Sequence, residues 1–168
     1  AVLDRFPEVA VEAYHVNNVI YAVHPNEITR QHEHLTKVAV TEVPSLLDTP
    51  LPLGKLLFEA ERETLENVKS FLAEKGWAED YELIFSTSHL LEMTVKGANK
   101  GGMVQRLAQH LGISMEHVYC AGDEANDLSM LAAADVSFAT AEAIPEAVET
   151  AKYQLRGRDG DSIARKIA

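Results

Sequence analysis

Val118-Tyr119-Cys120-Ala121-Gly122-Asp123-Glu124-Ala125-Asn126-Asp127 is the stretch on which the fold turns. Val118 to Ala121 is a short, near-continuous apolar run, as a strand of parallel sheet buried on both faces requires. An acidic, glycine-led loop follows, and Leu128 to Ala134 then reads as a helix. Further on, Val136-Ser137-Phe138-Ala139 reads as a second strand and Ile144 to Lys152 as another helix. On the amino side, Met103, Val104, Leu107, Ala108 and Leu111 mark one apolar face of a helix that stops at Gly112. Alternation of this kind implies a doubly wound α/β layer with right-handed crossovers.

Whatever follows the carboxyl end of a strand in such a sheet faces the ligand crevice, so Gly122 to Asp127 is positioned for chemistry. Asp123, Glu124 and Asp127 repel one another unless a cation or a strong set of donors compensates. Mg²⁺ suits the loop, because it prefers oxygen ligands and takes only one or two protein carboxylates beside substrate phosphate. Helix capping accounts for Asn126 or Asp127 individually, but it leaves Asp123 unexplained. An EF-hand loop is excluded, since its glycine belongs where this chain has Leu128. Lys100 is a second anomaly, a cation at the positive end of a helix dipole, and such local conflicts often mark function. Gly97-Ala98-Asn99-Lys100-Gly101-Gly102 is not a P-loop, whose lysine follows the second glycine and precedes Ser or Thr. Taken alone, Lys100 reads as a solvated residue closing a flexible linker.

The first half mixes short strands and helices. Val9 to Tyr14 and Val19 to Val23 are strand-like runs joined by paired asparagines, which predicts an antiparallel pair. Pro25-Asn26 predicts a helix start for the polar segment through Leu35, and prolines 44, 50 and 52 mark an irregular connection ending near Gly54. Lys55 to Glu59 reads as a strand, Glu61 to Lys75 as an amphipathic helix, and Tyr81 to Ser86 and Leu90 to Val95 as two more strands. The change of pattern sets a domain boundary near Lys96-Gly97, dividing 1–96 from 97–168.

Composition narrows the function. The chain has 168 residues, 46% of them hydrophobic, and its 26 acidic against 15 basic residues give a net charge of -11. That excess argues against a non-specific binder of nucleic acid or of an anionic membrane. A single cysteine, Cys120, forms no internal disulfide, and no apolar stretch is long enough to span a bilayer, so a cytoplasmic setting is expected. Cys120 itself reads as a buried thiol. His32 and His34 lack an evident third metal ligand and read as surface residues. Ser86-Thr87-Ser88-His89 has neither a nucleophile elbow nor a clear acid partner and reads as a turn.

Asn99-Lys100-Gly101-Gly102 opening a helix, followed by Gly122-Asp123-x-x-Asn126-Asp127-x-x-Met130-Leu131 after a strand, resembles the haloacid dehalogenase (HAD) superfamily of phosphatases, and within it the Cof-type branch. The stretch upstream, from Lys55 through Glu92, is similar to the second half of that branch's α+β C2-type cap. The resemblance implies a partial doubly wound, Rossmann-like core at 97–168 and a partial cap at 1–96. It also implies phosphoryl transfer through an aspartyl phosphate, with Mg²⁺ bridging enzyme and a small phosphorylated metabolite. Asp123 would be a metal ligand, and Asp127 a ligand or its hydrogen-bonded support. Lys100 would pair with phosphate and nucleophile, and Asn126 would contact the loop or the phosphate; Lys100 and Asp127 are thus the catalytic candidates.

Parts of the family pattern are missing, the motif-two Ser or Thr and its strand among them. The nucleophile motif, Asp-x-Asp-Gly-Thr, occurs nowhere in the chain; Val2-Leu3-Asp4 is a weak echo and Asp159-Gly160-Asp161-Ser162 lies at the wrong end. The expectation is therefore the carboxyl-terminal part of a phosphatase, inactive alone and open to self-association through a truncated sheet. The alternative is a non-catalytic half-protein that binds metal or phosphate.

Overall fold

Asn17 and Asn18 turn the chain back on itself, Asn18 at a φ of 61°, in the left-handed region that asparagine tolerates. They join β1 (Ala10–His15) to β2 (Ile20–Val23) as an antiparallel hairpin. The structure is a computed structural model that describes residues 1–155, so the Asp159–Ser162 segment lies outside the described residues. The chain divides into two compact units, Ala1–Lys96 and Gly97 onward.

In the first unit, helix α1 (Val2–Arg5) precedes the hairpin, and α2 (Glu27–Thr36) follows it. Asn26 caps α2, its Oδ1 accepting from the amides of Ile28 at 2.9 Å and Thr29 at 3.1 Å. The chain continues through β3 (Thr41–Glu42), β4 (Leu53–Glu59), α3 (Arg62–Glu74), β5 (Tyr81–Thr87) and β6 (Leu90–Val95). These strands form one sheet in the order β3-β2-β1-β4-β6-β5, antiparallel except where β3 runs beside β2. Alternation along the strands puts Val11, Phe58, Leu83, Phe85, Leu91 and Met93 into one apolar cluster with Leu65, Val68 and Leu72 of α3. Each of those three helix side chains is fully buried and stabilises the unit by about 1.5–3 kcal/mol. The intervening positions of β1 and β4 mix polar side chains, Glu12, Tyr14, Lys55 and Glu59, with the buried Ala10 and Leu57.

In the second unit, α4 (Lys100–Leu111) is capped by Asn99, whose Oδ1 accepts from Gly102 N at 2.9 Å, and it ends at Gly112 with a φ of 68°. Strands β7 (Tyr119–Gly122), β8 (Val136–Ala139) and β9 (Tyr153–Gln154) form a parallel sheet in chain order. Helices α5 (Leu128–Ala133) and α6 (Pro145–Thr150) provide the crossovers. This is the Rossmann-like layer that the alternation of apolar runs implies. Among the described residues no helix is long and apolar enough to cross a membrane.

The structure adds detail that the sequence reading lacks, helix α1 included. The last helix stops at Thr150 and not at Lys152, and β3 and β9 were given no strand; both are two-residue, exposed strands whose only requirement is backbone pairing, so no apolar run marks them. The apolar stripe of α4 is only partly covered, with Ala108 buried but Met103, Leu107 and Leu111 each more than half exposed.

Candidate phosphate and metal site

The site is built where β7 gives way to α5. Backbone bonds fix the start of the loop: Thr140 N donates to Gly122 O at 3.2 Å, and Ile144 N to Asp123 O at 2.9 Å. The chain then closes a tight turn over Ala125–Asp127 that swings the Asp127 side chain back under the loop. There Oδ2 of Asp127 accepts from the amides of Asp123 at 3.0 Å and Glu124 at 3.2 Å. Gly122 makes this fold-back possible, because a Cβ at that position would lie 2.7 Å from Asp127 Cγ and nearer still to its Cβ.

Lys100 meets this loop from α4, although 26 and 27 positions separate it from its partners. Its Nζ donates to Oδ1 of Asp127 and, at 3.2 Å, to Oδ1 of Asn126. The approach depends on Gly101, whose amide donates to Ser129 Oγ at 3.0 Å and where a Cβ would lie 2.5 Å from the Ser129 carbonyl carbon. The cation that conflicts with the dipole of its own helix is thus held by a buried carboxylate of the next one.

Burial pushes the Asp127 carboxyl up, but the Lys100 ammonium and the two backbone amides outweigh it and hold the group below the usual carboxylate range. Asp127 is 4% exposed and its two oxygens already accept three bonds. Its geometry is that of a hydrogen-bonded support for Lys100. Asp123 and Glu124 are exposed, so the loop presents two hard carboxylates to solvent, that of Glu124 also capping the Ala125–Asp127 turn. Lys100, with about half of its side chain exposed, has three N–H donors, and two are engaged within the site. The third makes no hydrogen bond among the described residues. The four residues that the sequence singles out, Lys100, Asp123, Asn126 and Asp127, therefore converge on one loop.

Other candidates fall differently. Cys120 is buried in β7, and burial raises its thiol pKa. Ser88 Oγ lies 2.8 Å from His89 Nδ1, and His89 Nε2 lies 3.4 Å from Glu61, so an acid neighbour exists; Ser88 and His89 form the turn between β5 and β6, and Glu61 is an exposed residue just before α3. His34 is exposed, but His32 is not the surface residue the sequence predicts. It is pressed against Glu12 and Glu59, which are 1% and 0% exposed. The missed signal was a glutamate inside each of two apolar strand runs.

Comparison with known proteins places the chain in a family. The sequence profile of the haloacid dehalogenase-like hydrolases matches residues 3–167. The chain belongs to that family, in its Cof-type branch. It is 34% identical over 147 residues to YxeH of Bacillus subtilis, provisionally named a phosphatase, a match covering 88% of this chain. That match takes in 52% of the relative, so the chain spans about half of its length. A haloacid dehalogenase-like hydrolase from Bacteroides thetaiotaomicron superposes with a TM-score of 0.77 at 25% identity, over 97% of this chain and 61% of that one. The subclass IIB sugar phosphatase BT4131 superposes with a TM-score of 0.83 at 20% identity, over 99% and 62%, and so shares the fold.

Proposed function

We propose that this chain supplies the phosphate- and Mg²⁺-handling half of a phosphomonoester hydrolase acting on a small phosphorylated metabolite in the cytoplasm. The observation that carries the reading is the convergence of Lys100 and Asn126 on Asp127 beside the exposed Asp123. Lys100 binds and neutralises phosphoryl oxygens, Asp127 aims its ammonium, and Asn126 contacts the bound phosphate. Asp123 ligates Mg²⁺, which when bound neutralises charge on the transferring phosphoryl group. These are positioning and electrostatic roles; none of the four residues is a free nucleophile.

The covalent step of the family needs a carboxylate that attacks phosphorus and a second that protonates the leaving oxygen and then activates water. We assign both to residues outside these 168, because Asp-x-Asp-Gly-Thr is absent from them. Two observations support that assignment. Strand β7, which leads into the site, pairs only with β8 among the described residues, and Met103, Leu107 and Leu111 of α4 present uncovered apolar surface. Further core secondary structure would cover both; in the isolated chain a second copy would serve. The same missing motif favours a second reading, a metal- or phosphate-binding module without turnover.

One experiment separates them. The full reading frame containing these residues is purified and assayed against sugar, nucleotide and cofactor phosphates with Mg²⁺ and with EDTA. Turnover that EDTA abolishes and that Asp123→Asn reduces at least tenfold is the result expected of the hydrolase. A folded product that binds phosphate with no turnover supports the module, and turnover indifferent to both changes overturns the assignment.

A further inference from the structure

We infer that Glu12, His32 and Glu59 form a binding site for one divalent cation of the Zn²⁺ class, separate from the Asp123 loop. Glu12 comes from β1, Glu59 from the end of the neighbouring β4, and His32 from the middle of α2. One donor atom from each lies within 4.8 Å of the other two. His32 Nδ1 is 3.3 Å from Oε1 of Glu12 and 3.5 Å from Oε1 of Glu59. A tetrahedral shell with bonds of about 2.0–2.1 Å has ligand–ligand edges of roughly 3.3–3.4 Å. The first separation equals such an edge and the second lies just above it.

Hydrogen bonding within the protein does not account for the cluster. The second oxygen of each carboxylate is already held: Tyr14 OH donates to Oε2 of Glu12 at 2.7 Å, and Thr29 Oγ1 donates to Oε2 of Glu59. These bonds aim both Oε1 atoms at the imidazole, as supporting partners orient metal ligands. An imidazole Nδ1 carries at most one proton, so it cannot serve two carboxylates. Glu59 Oε1 is fully buried and has no hydrogen-bond partner. Two buried carboxylates also exceed the charge of one imidazolium, and leaving that excess unpaired is costly. A divalent cation at the common centre satisfies Glu59 Oε1, balances both carboxylates and takes the Nδ1 lone pair.

The donor set selects the ion. One imidazole nitrogen with two carboxylate oxygens is a borderline set that suits Zn²⁺, whereas Mg²⁺ prefers oxygens alone. His32 also lines a surface pocket of about 380 Å³ with Glu27, Gln31, Leu35 and His89, which gives an entry path and room for a water as fourth ligand.

The test is calorimetric titration of the chelator-stripped 168-residue chain with Zn²⁺ at pH 7.5, alongside His32→Ala, Glu59→Gln and the loop variant Asp123→Asn. The expected result is one high-affinity Zn²⁺ per chain, weakened at least tenfold by His32→Ala and by Glu59→Gln and unchanged by Asp123→Asn. The Co²⁺ form should show d–d absorption that His32→Ala removes. His32→Ala keeps the readout available if Glu59→Gln does not fold, because the imidazole is partly exposed. No high-affinity Zn²⁺ on the folded chain, or affinity indifferent to His32→Ala, overturns the proposal.

Discussion

Asp127 occupies the space where any residue but glycine at position 122 would carry its Cβ. The last residue of β7 and the acidic anchor of the loop are therefore a matched pair, and the fold-back that lets Asp127 accept from the amides of Asp123 and Glu124 depends on it. Gly122→Ala should destabilise the chain by about 1–3 kcal/mol, the usual cost of overpacking a site that cannot relax. Thermal unfolding checks this, and a variant as stable as the parent would mean that the loop is free to move aside.

Lys100 and Asp127 should behave as a coupled pair. Removing the ammonium leaves a carboxylate that is 4% exposed with two backbone donors and no counter-charge. The lysine end is half exposed, which discounts the effect, so Lys100→Met should cost about 1 kcal/mol. Relief of the dipole conflict at the start of α4 offsets part of that cost. A double-mutant cycle with Asp127→Asn should return a coupling of about 1 kcal/mol, and strict additivity would deny the contact.

Much of this site was legible because each part breaks a local rule. A cation at a helix start, and three acids after a strand that ends in glycine, are conflicts visible without coordinates, and the structure brings them onto one another. The Glu12–His32–Glu59 group was harder to see. A lone glutamate in a strand run looks like the polar member of an alternating pattern. Only the register of β1 against β4, and the turn of α2 that aims His32, show that the two glutamates face one imidazole. The exposure of α4 is not legible for a different reason, since an apolar stripe at helical spacing records a face that needs covering and not whether anything covers it.

Stability of the metal-stripped chain should depend on pH through Glu59. Its carboxyl is raised to about 7 when folded, chiefly by burial, with Glu12 adding to the rise and Thr29 opposing it; unfolded, it titrates near about 4.3. Between those values the folded state binds more protons, so the stabilisation is fully present below about 4.3 and is lost as pH rises through about 7. The difference is roughly 3–4 kcal/mol. Glu12, His32 and Tyr14 belong to the same cluster, so the measurement is the difference between parent and Glu59→Gln in EDTA, by urea unfolding from pH 5 to 8. The parent's advantage should shrink across that range, and a parallel pair of curves would place the Glu59 carboxyl at its ordinary value.

The 168-residue chain alone should not turn over phosphate esters. Transfer of a phosphoryl group needs an attacking atom held in line with phosphorus and a proton for the leaving oxygen. The described site offers an ammonium, an amide and carboxylates: Lys100 is paired with Asp127, Asp127 is buried beneath it, and Asp123 is exposed at the loop surface. Such a constellation lowers the charge of a bound phosphate without supplying the covalent step. Purified chain with Mg²⁺ should therefore leave p-nitrophenyl phosphate intact at any level above background, while Mg²⁺-dependent phosphate binding persists and weakens in Lys100→Met. Robust turnover at verified mass and purity, retained after Asp123→Asn, would show that a nucleophile does lie within these residues.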